Sequence, residues 1–232
     1  MSLGEDRYFT NGVAEVVLAR GAKLNYYTLQ KESPQAFHVS NTHVVQGPAS
    51  SFSSLVVDIG GGLVRHNLNV LLEGQEATCM LNGLSILGDA QHVDNHTFVD
   101  HARPHTTSRE LYKGILGDTA HAVFAGNVLV RPDTPGTDAH QMSKTLLLSK
   151  EAEIDTKPQL EIYTDDVKCG HGAAVGQLDQ EALFYLKSRG VSDQEGRSLL
   201  THGFVTDVVG TVSSVPLHAF VDRMVQNRLR EL

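Results

Sequence analysis

Short apolar stretches follow one another from about Gly12 to Gly176, and Gly, Asn or Asp separates each from the next. Several alternate between apolar and polar residues, as NLNV does at residues 67–70, so that every second side chain would face a core. Each stretch has the length of a strand, as in AEVVLA, SLVVDI, NLNVLL, AVFAGNVLV, KTLLLS and QLEIY. The region lacks the helical windows that a doubly wound α/β fold needs between its strands. The pattern therefore predicts an all-β region.

The arrangement of these strands is not fixed by the pattern alone. Glycines punctuate the stretches where turns are expected, at positions 74, 83, 88, 114, 117, 126 and 136. Short strands and tight corners suit a solenoid whose neighbouring turns bury a common core. The spacing between similar segments is irregular, so a sandwich and a barrel remain open beside a β-helix.

Beyond Gly176 the spacing of apolar residues becomes helical. Asp179 is placed to cap a helix over QEALFYLKS, and Ser192 with Glu195 forms a capping box for a second helix. Gly210 would end that second helix. The apolar sides are predicted from Leu183, Leu186 and Tyr185 in the first helix and from Leu200, Phe204 and Val208 in the second.

A third helix is predicted to begin at Pro216, with an apolar stripe at positions 217, 220, 221, 224 and 225. The stripe would pack within the protein or, alternatively, dock a partner. We therefore predict two domains, a β core over residues 1–178 and a C-terminal helical domain over residues 179–232.

Composition limits the classes of partner. The chain of 232 residues has a net charge of −8 and no basic run, which excludes a general attraction for nucleic acid or an anionic membrane. The longest apolar run, TLLLS, is too short to cross a bilayer. The start, MSLGEDRYFT, lacks the apolar centre of a signal peptide, and two cysteines cannot form a disulfide framework. These features predict a reducing compartment, either the cytoplasm or an organelle.

The segment VKCGHG holds one of the two cysteines, Cys169, and a histidine two residues later, His171. If the segment is extended, Val167, Cys169 and His171 share one face. Thiolate and imidazole are ligands for zinc and iron, but a metal site needs about three or four ligands and this segment supplies two. The others would come from elsewhere in the chain, from a partner or from the cargo. Alternatively, the cysteine packs as a small hydrophobic residue beside a hydrogen-bonded histidine.

A second group of histidines lies in QHVDNHTFVDHARPH, at His92, His96, His101 and His105. Their spacing would pair them on a helix, but the surrounding residues are not helical and Pro104 interrupts the second pair. No HExxH motif is present. Turns and core hydrogen bonds are the favoured interpretation, and a metal-dependent all-β enzyme that uses the His92–His105 cluster is the alternative function.

A long segment, LLLSKEAEIDTKPQLEIYTDDVKCGHGAAVGQLDQEALFYLKSRG, resembles the SufB/SufD family of iron–sulfur cluster assembly scaffold proteins. ELYKGILGDTAHAVFAGNVLV resembles the same family, so the similarity runs from about residue 100 to 203 and continues more weakly upstream. Gly172 stands where the SufB branch has a glutamate, which favours the SufD branch. The sequence departs from the family at Gly170, where serine is usual, and at Ala174, where threonine is usual. The family's N-terminal helical domain has no counterpart here, so we expect the sequence to be part of a longer chain.

The resemblance implies a right-handed parallel β-helix followed by a small C-terminal helical domain. It implies a non-enzymatic scaffold that works in a complex with a SufB-like subunit and a SufC-like ABC ATPase, in the cytoplasm or the plastid stroma. An Fe–S cluster would form transiently at the interface with the SufB-like subunit, and none is expected in the isolated chain. His171 is then the expected ligand and Cys169 a supporting thiol. We expect the isolated chain to be a homodimer through residues 160–176, because open strand edges seek partners.

Overall fold

The computed structural model describes residues 6–232, so the first five residues of the polar start lie outside the description. Within residues 6–232, twelve strands are followed by three helices. The first six strands are β1 (Phe9–Leu18), β2 (Lys23–Gln30), β3 (Phe37–Gln46), β4 (Ser51–Asp58), β5 (Leu63–Leu72) and β6 (Thr78–Leu87). The next six are β7 (His92–His101), β8 (Thr107–Leu116), β9 (His121–Val130), β10 (Thr137–Leu147), β11 (Glu153–Ile162) and β12 (Val167–Gln177). The helices are α1 (Gln180–Ser188), α2 (Asp193–Val209) and α3 (Val215–Glu231).

The strands wind into a parallel β-solenoid. Odd-numbered strands form one six-stranded sheet, sheet A, and even-numbered strands form the other, sheet B; the strand pairs in both are parallel. This confirms the prediction of a mainly β protein in which a parallel β-helix is followed by helices at the C-terminus. Phe37 pairs with Leu63 and His121 with Glu153, so the spacing between turns varies from 26 to 32 residues. This variation explains why no fixed period is visible in the sequence.

The glycines have two different roles. Gly61 and Gly136 lie in corners with φ of 74° and 73°, a conformation that favours glycine. Gly83, Gly114 and Gly126 lie inside strands, so the prediction of turns at these three positions is wrong. A Cβ at Gly83 would overlap the ring of Tyr112, and one at Gly126 would overlap the amide of Gln141. Gly83 makes room for a large side chain on the neighbouring strand of the same sheet, and Gly126 for one that reaches it from the opposite sheet.

Two main apolar clusters hold the molecule together. One fills the solenoid interior, where Phe52, Leu72 and Leu81 are fully buried. The other joins the outer face of sheet B to α2 and α3, through residues such as Leu84, Ile115, Val205 and Val225. Burying such side chains stabilises the fold by about 1.5–3 kcal/mol each. The helices are thus fixed on one sheet of the solenoid.

The helical predictions are confirmed at the helix ends and partly on the faces. Asp179 caps α1, Ser192 and Glu195 form the capping box of α2, and Gly210 ends α2. Val221, Met224 and Val225 of the predicted stripe are buried against the sheet, whereas Phe220 is exposed. Tyr185 is also exposed, and α2 buries Val205 rather than Phe204 most deeply.

The β strands end at Gln177, and α1 begins at Gln180. The division into domains at residue 178 stays a prediction, because the helices share an apolar cluster with sheet B. Among the helices of residues 6–232, none has both the length and the apolar content required to span a membrane.

Candidate functional site

The candidate site lies on β12, the last strand of sheet B. β12 pairs with β10 along one side, and sheet B contains no described strand on its other side. Val167 and Cys169 are partly buried against the interior apolar cluster, and alternation places His171 on the same face. The predicted shared face of Val167, Cys169 and His171 is therefore the core-facing side. His171 is nevertheless exposed, because it lies in the last turn of the solenoid.

Gly170 and Gly172 occupy the opposite face of β12. A Cβ at Gly170 would lie 3.3 Å from Nδ1 of His140, and one at Gly172 would lie 2.9 Å from Cε of Met142. The glycines therefore let the side chains of β10 approach the edge strand closely. Gly170 stands where serine is usual in the family, and the His140 ring lies close to the position that the serine Cβ would take.

Cys169 is a free thiol that is partly buried. Burial raises the pKa of the Cys169 thiol, and a hydrogen bond with the backbone of Ala139 opposes this effect. The thiol is therefore not activated as a thiolate by its own surroundings, and a bound metal would have to displace its proton. The other cysteine, Cys79, is fully buried and lies at the matching register position on β6, three strands from β12 in sheet B. Three strand spacings separate the two cysteines by about 14 Å. Neither cysteine is in a disulfide.

Charged residues lie on the outer face of sheet B, beside the glycines of β12. Arg109 Nη2 donates to Asp138 Oδ2 at 2.6 Å, and this hydrogen bond holds the pKa of the Asp138 carboxyl below its usual range. His140 Nε2 lies 3.1 Å from the other carboxylate oxygen of Asp138. This cluster is separated from Cys169 and His171 by the sheet itself.

The core-facing side next to His171 is polar. In the strand register, His171 lies beside Gln141 of β10, and Gln141 lies beside Glu110 of β8. Gln141 Nε2 donates to Glu110 Oε1 at 3.2 Å, and Thr97 Oγ1 donates to Glu110 Oε2 at 2.6 Å. Burial raises the pKa of Glu110 to about 7, while these two hydrogen bonds act to lower it.

Sequence reasoning missed Glu110 and Gln141. The alternation in TSRELYKG allows either Glu110 or Leu111 to face the interior. The Tyr112 ring is buried in the interior over Gly83, and because residues two apart on a strand share a face, Glu110 faces the interior as well. Gln141 could have been found only from the register of β10 with β12, which depends on the length of the intervening turn.

The histidines of the second group do not come together. His92 and His96 project from the outer face of sheet A, where the His92 ring lies edge-to-face against the His121 ring and His96 Nε2 lies 2.7 Å from Asp94 Oδ1. His101 is buried in the interior between Thr106 and Ser108, and burial lowers its pKa to about 4. His105 lies in the corner after β7, with φ of 59°.

The four histidines therefore have separate structural surroundings. Across residues 6–232, no group of three or more His, Cys, Asp or Glu side chains could hold a metal ion. Within residues 6–232, the four histidines are therefore not brought together as the alternative function, a metal-dependent enzyme using the His92–His105 cluster, requires.

The fold and the site define a class of protein, a parallel β-solenoid that presents two donor side chains at its open edge. The chain belongs to the SufBD core-domain family, since the family model described as "SUF system FeS cluster assembly, SufBD core domain" matches residues 1–204. This confirms the family that the sequence motifs indicated.

Individual relatives agree with this assignment. The chain is 36% identical over 209 residues to the iron–sulfur cluster assembly protein SufD of Escherichia coli, which covers 90% of this chain and 49% of that protein. It is 36% identical over 224 residues to a SufBD family protein of Synechocystis, covering 97% and 48% respectively. It is 37% identical over 206 residues to the chloroplastic protein ABCI7 of Arabidopsis thaliana, covering 88% and 43%. The chain thus spans about half the length of these relatives.

Proposed function

We propose that the chain is a SufD-like scaffold component in iron–sulfur cluster assembly, and that His171 binds a nascent cluster at an interface shared with a SufB-like subunit. The observation that carries the proposal is the position of Cys169 and His171, on one face of an edge strand whose other side is open. Membership of the SufBD core-domain family and the similarity to proteins named SufD support the same role.

The donor set fits half of a shared site. Two side chains are too few to hold a metal alone, and the remaining ligands would come from the partner strand that completes the edge. Iron–sulfur clusters favour thiolates and accept histidine. His171 is the better ligand in this chain because it is exposed, whereas Cys169 is partly buried with a raised pKa. Cys169 is a supporting thiol that either binds the cluster or packs beneath it.

The partners follow from the two exposed features of the chain. The open edge of β12 would pair with the SufB-like subunit, since unpaired backbone groups seek another strand. The helices would contact the SufC-like ABC ATPase, and large apolar side chains remain exposed on them at Phe184, Leu199 and Phe220. The proposed role is that of a scaffold rather than an enzyme, with the cluster as cargo. A reducing compartment, the cytoplasm or the plastid stroma, suits a chain with two free cysteines.

Anaerobic assembly of the three-component complex tests the proposal. We expect His171→Ala to lose most of the iron and acid-labile sulfide that the wild-type complex gains, with unchanged melting temperature and partner binding. His140→Ala is the matched control, because its imidazole is exposed one strand away on the outer face of the same sheet. Normal iron and sulfide content in His171→Ala would refute the proposed ligand.

A further inference from the structure

A row of polar side chains crosses the interior of the solenoid in its last three turns. Glu110, Gln141 and His171 occupy the same core-facing position on β8, β10 and β12, and they are neighbours in the strand register. Adjacent strands lie about 4.8 Å apart, so each side chain is within reach of the next. The row begins in the buried core and ends at the exposed imidazole of the proposed site.

The orientation of the Gln141 amide is fixed by its neighbours. The two oxygens of Glu110 accept from Thr97 Oγ1 and Gln141 Nε2. At pH 8, above its raised pKa of about 7, the Glu110 carboxyl group is ionised and cannot donate, so the amide then presents its NH2 group rather than its oxygen to Glu110. Gly126, on the opposite sheet, leaves the space that the amide fills. The carbonyl end of Gln141 is therefore available to a donor other than Glu110.

Gln141 Oε1 has no such donor within residues 6–232. The side chain is 2% exposed, and this oxygen is buried without a hydrogen-bond partner. A buried acceptor without a partner calls for an explanation, because most buried polar atoms in proteins are paired. The next residue along the row is His171, whose ring carries an N–H group in its neutral form.

We propose that Gln141, held by Glu110, positions His171 by accepting a hydrogen bond from one ring nitrogen, which leaves the other nitrogen free to bind the cluster. This inference rests on the proposed function, and it makes Gln141 and Glu110 positioning residues rather than ligands. Metal-binding histidines commonly donate their second ring nitrogen to an oxygen, which fixes the tautomer and raises the basicity of the ligand. The two side chains are not hydrogen-bonded in the structure, and the proposal is that a turn of the exposed His171 ring makes the bond in solution, already in the isolated chain.

The tautomer of His171 can be read directly in the isolated chain. Long-range 1H–15N correlation spectra of 15N-histidine-labelled protein at pH 8 report which ring nitrogen carries the proton, and His171→Ala identifies the signals. We expect one tautomer to predominate in the wild type and Gln141→Leu to give a mixture. Zn²⁺ added in excess, as a weakly held probe that water also ligates, should bind at His171 about tenfold more weakly in Gln141→Leu.

Three further variants separate positioning from loss of structure. Gln46→Leu is the matched control, because Gln46 is also fully buried with an unpartnered Oε1 but lies on β3, far along the solenoid. It should leave His171 unchanged. Glu110→Gln keeps an acceptor for Gln141 and should resemble the wild type, whereas Glu110→Leu should resemble Gln141→Leu.

Unchanged tautomer populations and Zn²⁺ affinity at His171 in a folded Gln141→Leu chain would overturn the inference. That outcome is distinct from failure of the proposed function, which would appear as normal cluster assembly in His171→Ala. The spectra require neither a partner nor a cluster, so each result stands alone.

Discussion

Glu110 lies in the solenoid interior, where burial raises the pKa of its carboxyl group from 4.5 to about 7. Between these two values the folded chain binds more protons than the unfolded chain, so this residue makes the free energy of unfolding decrease as pH rises from about 4.5 to about 7. The full effect is about 3 kcal/mol. Cys79 and Tyr112 face the same region, but burial raises the pKa of both groups well above this range.

Comparison of the wild type with Glu110→Gln isolates this effect. Buried His101, whose pKa is lowered to about 4, acts in the opposite direction, because its stabilisation is lost as pH falls below about 6.5. The total profile therefore mixes both residues, and only the difference between the two proteins reports Glu110. Urea unfolding at pH 5 and pH 8 should show Glu110→Gln gaining stability relative to the wild type at the higher pH. Parallel profiles would show that the carboxyl titrates normally in the folded chain.

At the scale of single elements, the edge of β12 carries a direct prediction. The strand VKCGHGAAVGQ has one charged residue, Lys168, so little on it discourages pairing with another strand. We expect the isolated chain to be a dimer through this edge, and Val175→Lys, at a 51% exposed position, to give a monomer. Val17→Lys on β1, at the opposite end of the solenoid, is the control and should remain dimeric. Light scattering at micromolar concentration measures the molar mass and so distinguishes a dimer from a monomer. A monomeric wild type or a monomeric Val17→Lys variant would contradict the proposed dimer surface.

The elements also show what the sequence can and cannot predict. Strand alternation and helix caps are local, so the sequence alone predicted the β region, Asp179, the Ser192 capping box and the end of α2 at Gly210. Gly83 and Gly126 were taken for turns, because the side chains that fill their space come from other strands: Tyr112 from the neighbouring strand of sheet B and Gln141 from the opposite sheet. Contacts of that kind depend on the number of residues in each turn, which the sequence pattern does not reveal.

The candidate site divides in the same way. Cys169 and His171 were predicted because two residues on one strand share a face whatever the rest of the chain does. Their core-facing orientation, and the row through Gln141 to Glu110, follow from the register of three strands that lie about 30 residues apart in sequence. The separation of His92 from His101 onto opposite faces of β7 likewise required the strand to be known.

At the scale of the whole molecule, the proposed role requires two surfaces, one on the helices and one at the open edge of β12. The helices cover the outer face of sheet B, where Lys113 Nζ reaches both the Phe204 carbonyl and the Asp207 carboxylate of α2. The fully buried sheet residues of this contact lie on β4, β6 and β8, and β12 is two strands beyond β8. We propose that this arrangement lets the helices bind an ATPase while the edge of β12 binds a second subunit.

The most direct test of the account is whether a nitrogen of this chain binds the cluster. The three-component complex is assembled anaerobically with 15N-histidine in this chain only, the cluster is reduced, and pulsed EPR measures the nitrogen couplings. We predict a 15N coupling of the size expected for a directly bound imidazole, present in the wild type and in His140→Ala. A complex that carries a paramagnetic cluster without a 15N coupling from this chain would contradict the central claim that His171 is a ligand.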